Sequence, residues 1–314
     1  MKRRTFIKKA ALTSLGGLAG GMLTSCSDLL SEKTALALNT PIPEQFPFKI
    51  SLAQWSLHRA FWSGKLKPLD FAQYTRETFN IDAVEYVNQF FSDKAKDQAF
   101  LQELKKRSDD HGITNVLIMI DMEGSLGTLD ESKRQKAVDN HYKWIDAAKF
   151  LGCHSIRVNA AGKGERTAVA AAAVESLGRL SEYGQMADVG VVVENHGGYS
   201  GDAQWLTGVI QQVNNPYCGT LPDFGNFYIN LFPPQNYDRY KGVEELLPFA
   251  KGVSAKTFEF NQAGQDVRTD YKRMMEIIQK STYRGYIGIE YEGYKLSEEA
   301  GIKATKDLII KSVS

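Results

Sequence analysis

Neither sign of charge is in surplus in this 314-residue chain: 38 Lys and Arg stand against 37 Asp and Glu, for a net charge of +1. A protein that grips a nucleic-acid backbone needs a basic excess, so nucleic acid is excluded as a partner. Histidine is scarce, at five residues, too few for a cluster of several His-rich zinc sites. No apolar run reaches the roughly 20 residues that span a bilayer. The uncharged stretch from Ala10 to Leu23 is too short and too rich in Gly. There are three cysteines, Cys26, Cys153 and Cys218. Cys153 and Cys218 begin two strand-like runs that are not neighbours in the chain order. A bridge needs Cα atoms within about 7 Å, so two free, buried, inert thiols are expected.

The N-terminus carries an address. Lys2-Arg3-Arg4-Thr5-Phe6-Ile7-Lys8 is basic, with paired arginines before a hydrophobic stretch, the pattern of a twin-arginine export signal. It ends Leu23-Thr24-Ser25-Cys26, which resembles a lipobox. Residues 1–25 are therefore expected to be a signal peptide. Acylation of Cys26 would anchor the mature chain to a membrane facing the periplasm; without it the chain would be soluble there. Residues 26–45 contain Pro41 and Pro43 and show no apolar periodicity, so a flexible tether is expected.

The remaining part, 46–314, alternates two patterns. Apolar strand candidates are Lys49 to Trp55, Ala83 to Val87, Thr114 to Ile120, Ser155 to Asn159, Gly190 to Glu194, Cys218 to Asp223, Gly252 to Thr257 and Tyr286 to Glu290. Between them lie segments with apolar residues at three- and four-residue spacing, such as Leu69 to Phe79, Arg134 to Leu151 and Tyr271 to Gln279. Eight of each in strict alternation predict an α/β fold, a single (β/α)₈ TIM barrel. A doubly wound open sheet is the alternative, disfavoured because no Gly-rich phosphate turn follows the first strand.

Three of the strand candidates close on a carboxylate: Val191-Val192-Val193-Glu194, Gly219-Thr220-Leu221-Pro222-Asp223 and Tyr286-Ile287-Gly288-Ile289-Glu290. In a barrel all strands end on the face where active sites are built. Carboxylates gathered there repel one another unless a cation lies among them. Side chains alternate along a strand, so Arg157 pairs with Asn159, Glu194 with His196, and Ser254 with Lys256, while Glu85 ends the second strand on the inner side. The mouth is thus expected to collect Glu85, Arg157, Glu194, His196, Asp223, Lys256 and Glu290. His58, Trp55, Trp62 and Phe227 are candidates for the pocket wall, although Trp55 and Phe227 also fit plain core packing. His111, His141 and His154 fall on helices or strand starts and read as structural.

Val193-Glu194-Asn195-His196-Gly197-Gly198, Leu221-Pro222-Asp223-Phe224-Gly225-Asn226-Phe227 and Ile289-Glu290-Tyr291-Glu292-Gly293 resemble the xylose-isomerase-like barrels of the sugar phosphate isomerase/epimerase family. The resemblance covers nearly all of residues 48–312. In ketose 3-epimerases of that superfamily a Glu, an Asp, a His and a Glu hold a divalent metal. The resemblance places the first on Glu194, the second on Asp223 and the last on Glu290, and it implies that Glu194 and Glu290 also move the proton. The His position falls on Ser254, a weak ligand; three oxygens plus water would then hold the ion, or His196 would substitute. Oxygen ligation favours Mn²⁺ or Mg²⁺, and a His ligand would admit Zn²⁺ or Co²⁺. The ammonium of Lys256 can itself neutralise the carboxylates, which leaves a metal-free site as the alternative. Lys256 and Arg157 are expected to bind hydroxyls or a developing oxyanion, with His58, Glu85, Asn159, His196, Asn226 and Phe227 as further substrate contacts.

The expected activity is metal-assisted isomerisation or epimerisation of a sugar through an enediolate. An exported chain does not meet cytosolic sugar phosphates, so the expected substrate is unphosphorylated, for example a keto-sugar from glycan breakdown. A lyase or hydratase acting on 3-keto-sugars with the same residues is the alternative reading. A non-catalytic sugar-binding lipoprotein is a further one, disfavoured by the joint presence of Glu194 and Glu290.

Overall fold

A computed structural model describes residues 29–313. The export segment 1–25 and Cys26 lie outside the described residues.

Eight parallel strands form the barrel: β1 (Lys49–Ala53), β2 (Ala83–Val87), β3 (Thr114–Met119), β4 (Ser155–Val158), β5 (Gly190–Glu194), β6 (Cys218–Leu221), β9 (Val253–Thr257) and β10 (Tyr286–Tyr291). A small antiparallel hairpin, β7 (Tyr228–Asn230) and β8 (Gln235–Asn236), follows β6. The ladder runs β6-β5-β4-β3-β2-β1-β10-β9. Between β6 and β9 the circle is completed by two parallel bridges, Thr220 to Ala250 and Asp223 to Ser254. Across that seam the Ser254 N–H donates to the Pro222 carbonyl at 2.9 Å, and Phe224 N–H to the Ser254 carbonyl at 3.1 Å.

Helices cover the barrel: α3 (Phe71–Phe79), α4 (Gln98–Asp110), α5 (Glu131–Leu151), α6 (Arg166–Ala187), α7 (Ala203–Val213), α8 (Arg239–Leu246), α9 (Tyr271–Lys280) and α10 (Glu298–Val313). Their starts are written in the sequence. Asp97, Asp130, Asp202, Asp238 and Asp270 each accept a backbone N–H at the helix N-terminus, which satisfies donors the helix itself cannot. The C-terminus of α5 is closed by Gly152 at φ 78°, a backbone region that favours glycine. On α9 the buried residues Tyr271, Met274, Met275 and Ile278 recur at three- and four-residue spacing on one face. Covered by helices outside and packed within, most strand residues are buried on both sides. Parallel strands therefore read as continuous apolar runs.

The segment expected to be a free tether is ordered onto the barrel over its described part. It forms α1 (Glu32–Ala37), where Ala35 is fully buried. Glu32 Oε2 accepts the Ser297 N–H at 2.9 Å, and Lys303 Nζ donates to the Leu36 carbonyl at 3.1 Å. Leu30, Leu38, Ile42 and Phe46 pack against the core. These apolar residues are spaced irregularly because they settle on a surface that α10 already provides. The short helix α2 (His58–Trp62) after β1 was likewise without a sequence signal.

Cys153 and Cys218 are free and buried, the first just before β4 and the second at the start of β6, with β5 between those strands. Burial pushes the Cys218 thiol up to about 11 and raises Cys153 further.

Candidate active site

Seven charged side chains meet at the carboxyl ends of the strands. Glu194 closes β5, Asp223 follows β6 at the seam, and Glu290 lies on β10, all at most 4 % exposed. One carboxylate oxygen from each lies within 4.8 Å of the others. Lys256 on β9 stands in register with Glu290, with Nζ 3.3 Å from Glu290, 3.4 Å from Glu292 and 3.7 Å from Asp223. Arg157 on β4 spans Asp121 at 2.8 Å and Glu194 at 2.9 Å.

Further hydrogen bonds orient these groups. Asn226 Nδ2 donates to Glu194 Oε1 at 2.9 Å. Asp223 Oδ1 accepts the N–H groups of Gly225 and Asn226 at 2.7 and 2.9 Å. The Asn195 side chain pairs with both backbone polar groups of Asp223. Ser254 Oγ lies 2.8 Å from Asp223 Oδ2 and 2.7 Å from Glu290 Oε2. A hydroxyl carries one proton, so it can donate to only one of the two. The other contact then needs a proton on the carboxyl.

The two carboxyls sit in different electrostatic surroundings. Burial pushes Asp223 up to about 7, with Lys256 opposing. For Glu290 burial also acts upward, but Lys256, the Ser254 hydroxyl and Arg157 outweigh it and hold the carboxyl below its ordinary range. Of the two, Glu290 is the more readily ionised and so the better acceptor for the Ser254 hydroxyl. Burial raises Glu194 to about 7 too, against Arg157. Desolvation opposes the charge on Lys256, yet Asp223, Glu290 and Glu292 keep it firmly protonated.

Five carboxylates (Asp121, Glu194, Asp223, Glu290 and Glu292) thus face two cations, Arg157 and Lys256. The surplus negative charge suits a divalent cation. The Glu194, Asp223 and Glu290 oxygens are spaced as ligands across an ion with metal–oxygen distances of about 2.0–2.6 Å. Glu194 Oε2 is buried without an aligned donor, because the nearby Arg157 Nε–H is not aimed at it. The residues present therefore fit an oxygen-preferring ion held by Glu194, Asp223 and Glu290, and Ser254 lies on the same side as their oxygens.

Above the triad opens a cavity of about 600 Å³ whose walls include Trp55, Asp121, Arg157, Asn159, His196, Asn226, Tyr228, Lys256, Phe258, Arg268, Glu290 and Glu292. His196 lines the wall, and desolvation together with Arg157 and Lys256 lowers its pKa. The Asn159 amide donates to Asp121 at 2.8 Å.

Three expected contacts lie off the wall of the acidic cavity. Glu85 points into the barrel but is 1 % exposed, off the cavity wall, and accepts from Ser51 at 2.6 Å. It packs on Gly288, where a Cβ would come within 2.5 Å of its Oε1. His58 lines a neighbouring hollow rather than the acidic cavity; its Nδ1 lies 2.8 Å from the Trp55 carbonyl. Phe227 is buried beside Tyr237 and Gly242, the core-packing role. His141 is tied to the Ala137 carbonyl inside α5, away from the site.

Asp121 went unrecognised, although Ile118-Met119-Ile120-Asp121 repeats the pattern of an apolar run closing on a carboxylate. Burial opposes its ionisation, but Arg157 holds its carboxyl below the ordinary range. Glu292, Phe258 and Arg268, from loops, and Tyr228, from the short β7 strand, were also missed, because such segments carry no periodic signal.

The fold recurs in known proteins. The structure of E. coli YcjR, a 3-keto-D-glucoside 4-epimerase, aligns with a TM-score of 0.64 at 14 % identity, over 84 % of this chain and 98 % of that one. The IOLI protein with a bound zinc atom aligns at 0.65 and 15 %, over 85 % and 98 %. A probable 3-DHS dehydratase, AsbF of Bacillus anthracis, aligns at 0.62 and 13 %, over 83 % and 98 %. No curated protein sequence matches the chain. The family model for the xylose isomerase-like TIM barrel matches residues 75–312. With three-quarters of its length covered by that model, the chain belongs to the xylose isomerase-like TIM barrel family.

Proposed function

We propose that the protein is a metal-assisted isomerase or epimerase of an unphosphorylated sugar, acting at a carbon beside a carbonyl. The observation that carries this reading is the convergence of Glu194, Asp223 and Glu290 from three separate strands, next to a polar cavity whose wall Glu290 reaches. Glu194 and Glu290 are the proposed acid–base pair. Their surroundings differ: burial raises Glu194 against Arg157, while Lys256 and Ser254 hold Glu290 below its ordinary range, a difference that suits two carboxylates with different roles. Glu290 takes the proton from carbon, and Glu194 returns one. Lys256 and Arg157 face the negative charge that develops on oxygen. Asn159, His196 and Asn226 orient hydroxyls. A divalent cation bound by Glu194, Asp223 and Glu290 would polarise the carbonyl.

The proposal extends to location: the paired arginines and Cys26 support an exported, lipid-anchored enzyme. Neighbours of this fold include an epimerase and a probable dehydratase, so elimination is the second reading. It is favoured by Lys256, a buried ammonium 3.3 Å from Glu290 that can donate to a departing hydroxyl. Incubation of the Mn²⁺-supplemented protein with free and 3-oxidised sugars in D₂O, followed by NMR, tests both. Deuterium at the inverted carbon is expected. Loss of water would favour elimination, and no exchange with any sugar would refute the acid–base assignment.

A further inference from the structure

Beside the acidic cavity lies a second hollow of about 320 Å³, walled chiefly by Trp55, Trp62, Phe258, Glu292, Tyr294 and Arg268. It is not a separate site. Trp55, Phe258, Arg268 and Glu292 line both spaces, so the two are lobes of one cleft. Glu292 stands between them, accepting the Trp55 indole N–H on one oxygen and lying 3.4 Å from Lys256 with the other. Each lobe is by itself of small-molecule size, about 300 Å³ or more.

The outer lobe is built unlike the inner one. Trp62 is 61 % exposed and Tyr294 80 % exposed, large aromatic faces left in water at the rim. Trp55 supports the Trp62 ring edge-on at a 5.2 Å centroid distance. Arg268 stacks 3.7 Å over the Phe258 ring and, among the described residues, forms no salt bridge. The outer lobe thus offers flat apolar faces, the His58 imidazole, one guanidinium and the carboxylates of Glu259 and Glu292. The inner lobe offers carboxylates and cations in excess. Aromatic faces suit the C–H surface of a pyranose ring, and exposed apolar patches bordered by polar groups mark ligand grooves.

From this we infer that the substrate is a glycoside. Its reacting sugar enters the acidic lobe while a second, glycosidically linked sugar ring rests on Trp62 and Tyr294, with Arg268 and Glu292 taking its hydroxyls. The inference rests on the sugar-acting reading above and adds the substrate class.

Binding tests it without requiring turnover. Calorimetry with the Mn²⁺-supplemented full chain would compare matched pairs, glucose with cellobiose and galactose with lactose, together with their 3-oxidised forms. Two aromatic contacts should make the disaccharide of the binding pair bind about tenfold more tightly than the monosaccharide. That ratio should fall to near one in Trp62→Ala/Tyr294→Ala and be retained in Trp62→Phe/Tyr294→Phe. Both rings are exposed, so the fold survives their removal, which an unchanged melting curve would verify. Equal affinity for both sizes, or a preference that survives the alanine pair, overturns the second-ring subsite. Failure of the acid–base reading looks different: sugars bind with the size preference but exchange no deuterium. If no sugar of either size binds, both readings fall.

Discussion

Glu85 makes a strong test of how the barrel interior handles charge. It is 1 % exposed, its Oε1 accepts from Ser51 at 2.6 Å, and its Oε2 has no partner. Burial, reinforced by Glu290 and Glu194 and opposed by Ser51 and Arg157, pushes its carboxyl from 4.5 up to about 7. Below its unfolded value the group is neutral in both states and costs the fold nothing. As pH rises through about 7 the advantage of the neutral form is lost, and above it the folded state carries the full penalty. That penalty is roughly 3 kcal/mol, from about 1.4 kcal/mol for each pH unit of displacement. Glu85→Gln keeps the size that Gly288 accommodates and keeps the acceptor for Ser51. It places an amide nitrogen where Oε2 already lacks a partner. The variant should therefore match wild type near pH 4.5 and exceed it by roughly 3 kcal/mol near pH 8.5, a gain of several degrees in melting temperature. Melting curves across pH, recorded in EDTA so that no divalent ion alters the local field, measure this. Parallel pH profiles for the two proteins would refute the buried-carboxyl argument.

Glu290→Gln is isosteric and should leave the melting temperature near wild type while lowering turnover by roughly 10²–10⁴-fold, the usual contribution of an acid–base group; a variant retaining more than about a tenth of the rate would remove Glu290 from the chemistry. Ser254→His introduces an imidazole between Asp223 and Glu290 and should tighten Mn²⁺ binding measured by calorimetry, whereas unchanged affinity would mean that this side chain does not face the ion. Cys26→Ala should shift the protein from the membrane to the soluble fraction of its native host and abolish palmitate labelling; membrane retention of the variant would count against the lipid anchor.

The chain itself carries the barrel. Its eight strands are apolar runs buried on both faces, and its helices begin at Asp caps and recur at helical spacing, so order and number are local properties of sequence. The acidic triad was legible for the same reason, since strand ends are local and the parallel arrangement brings all of them to one face. Depth and direction are not local. Whether Glu85 reaches the cavity or stops beneath it depends on the room that Gly288 leaves on β10, two strands away across the barrel interior. Phe227 turns towards α8 because Gly242 makes space there, and His58 is drawn to the Trp55 carbonyl by the turn into α2. The segment 29–45 finds its place only against α10. The two-lobed cleft exists because loops after β1, β9 and β10 meet over it, residues distant in sequence whose proximity depends on closure of the barrel between β6 and β9.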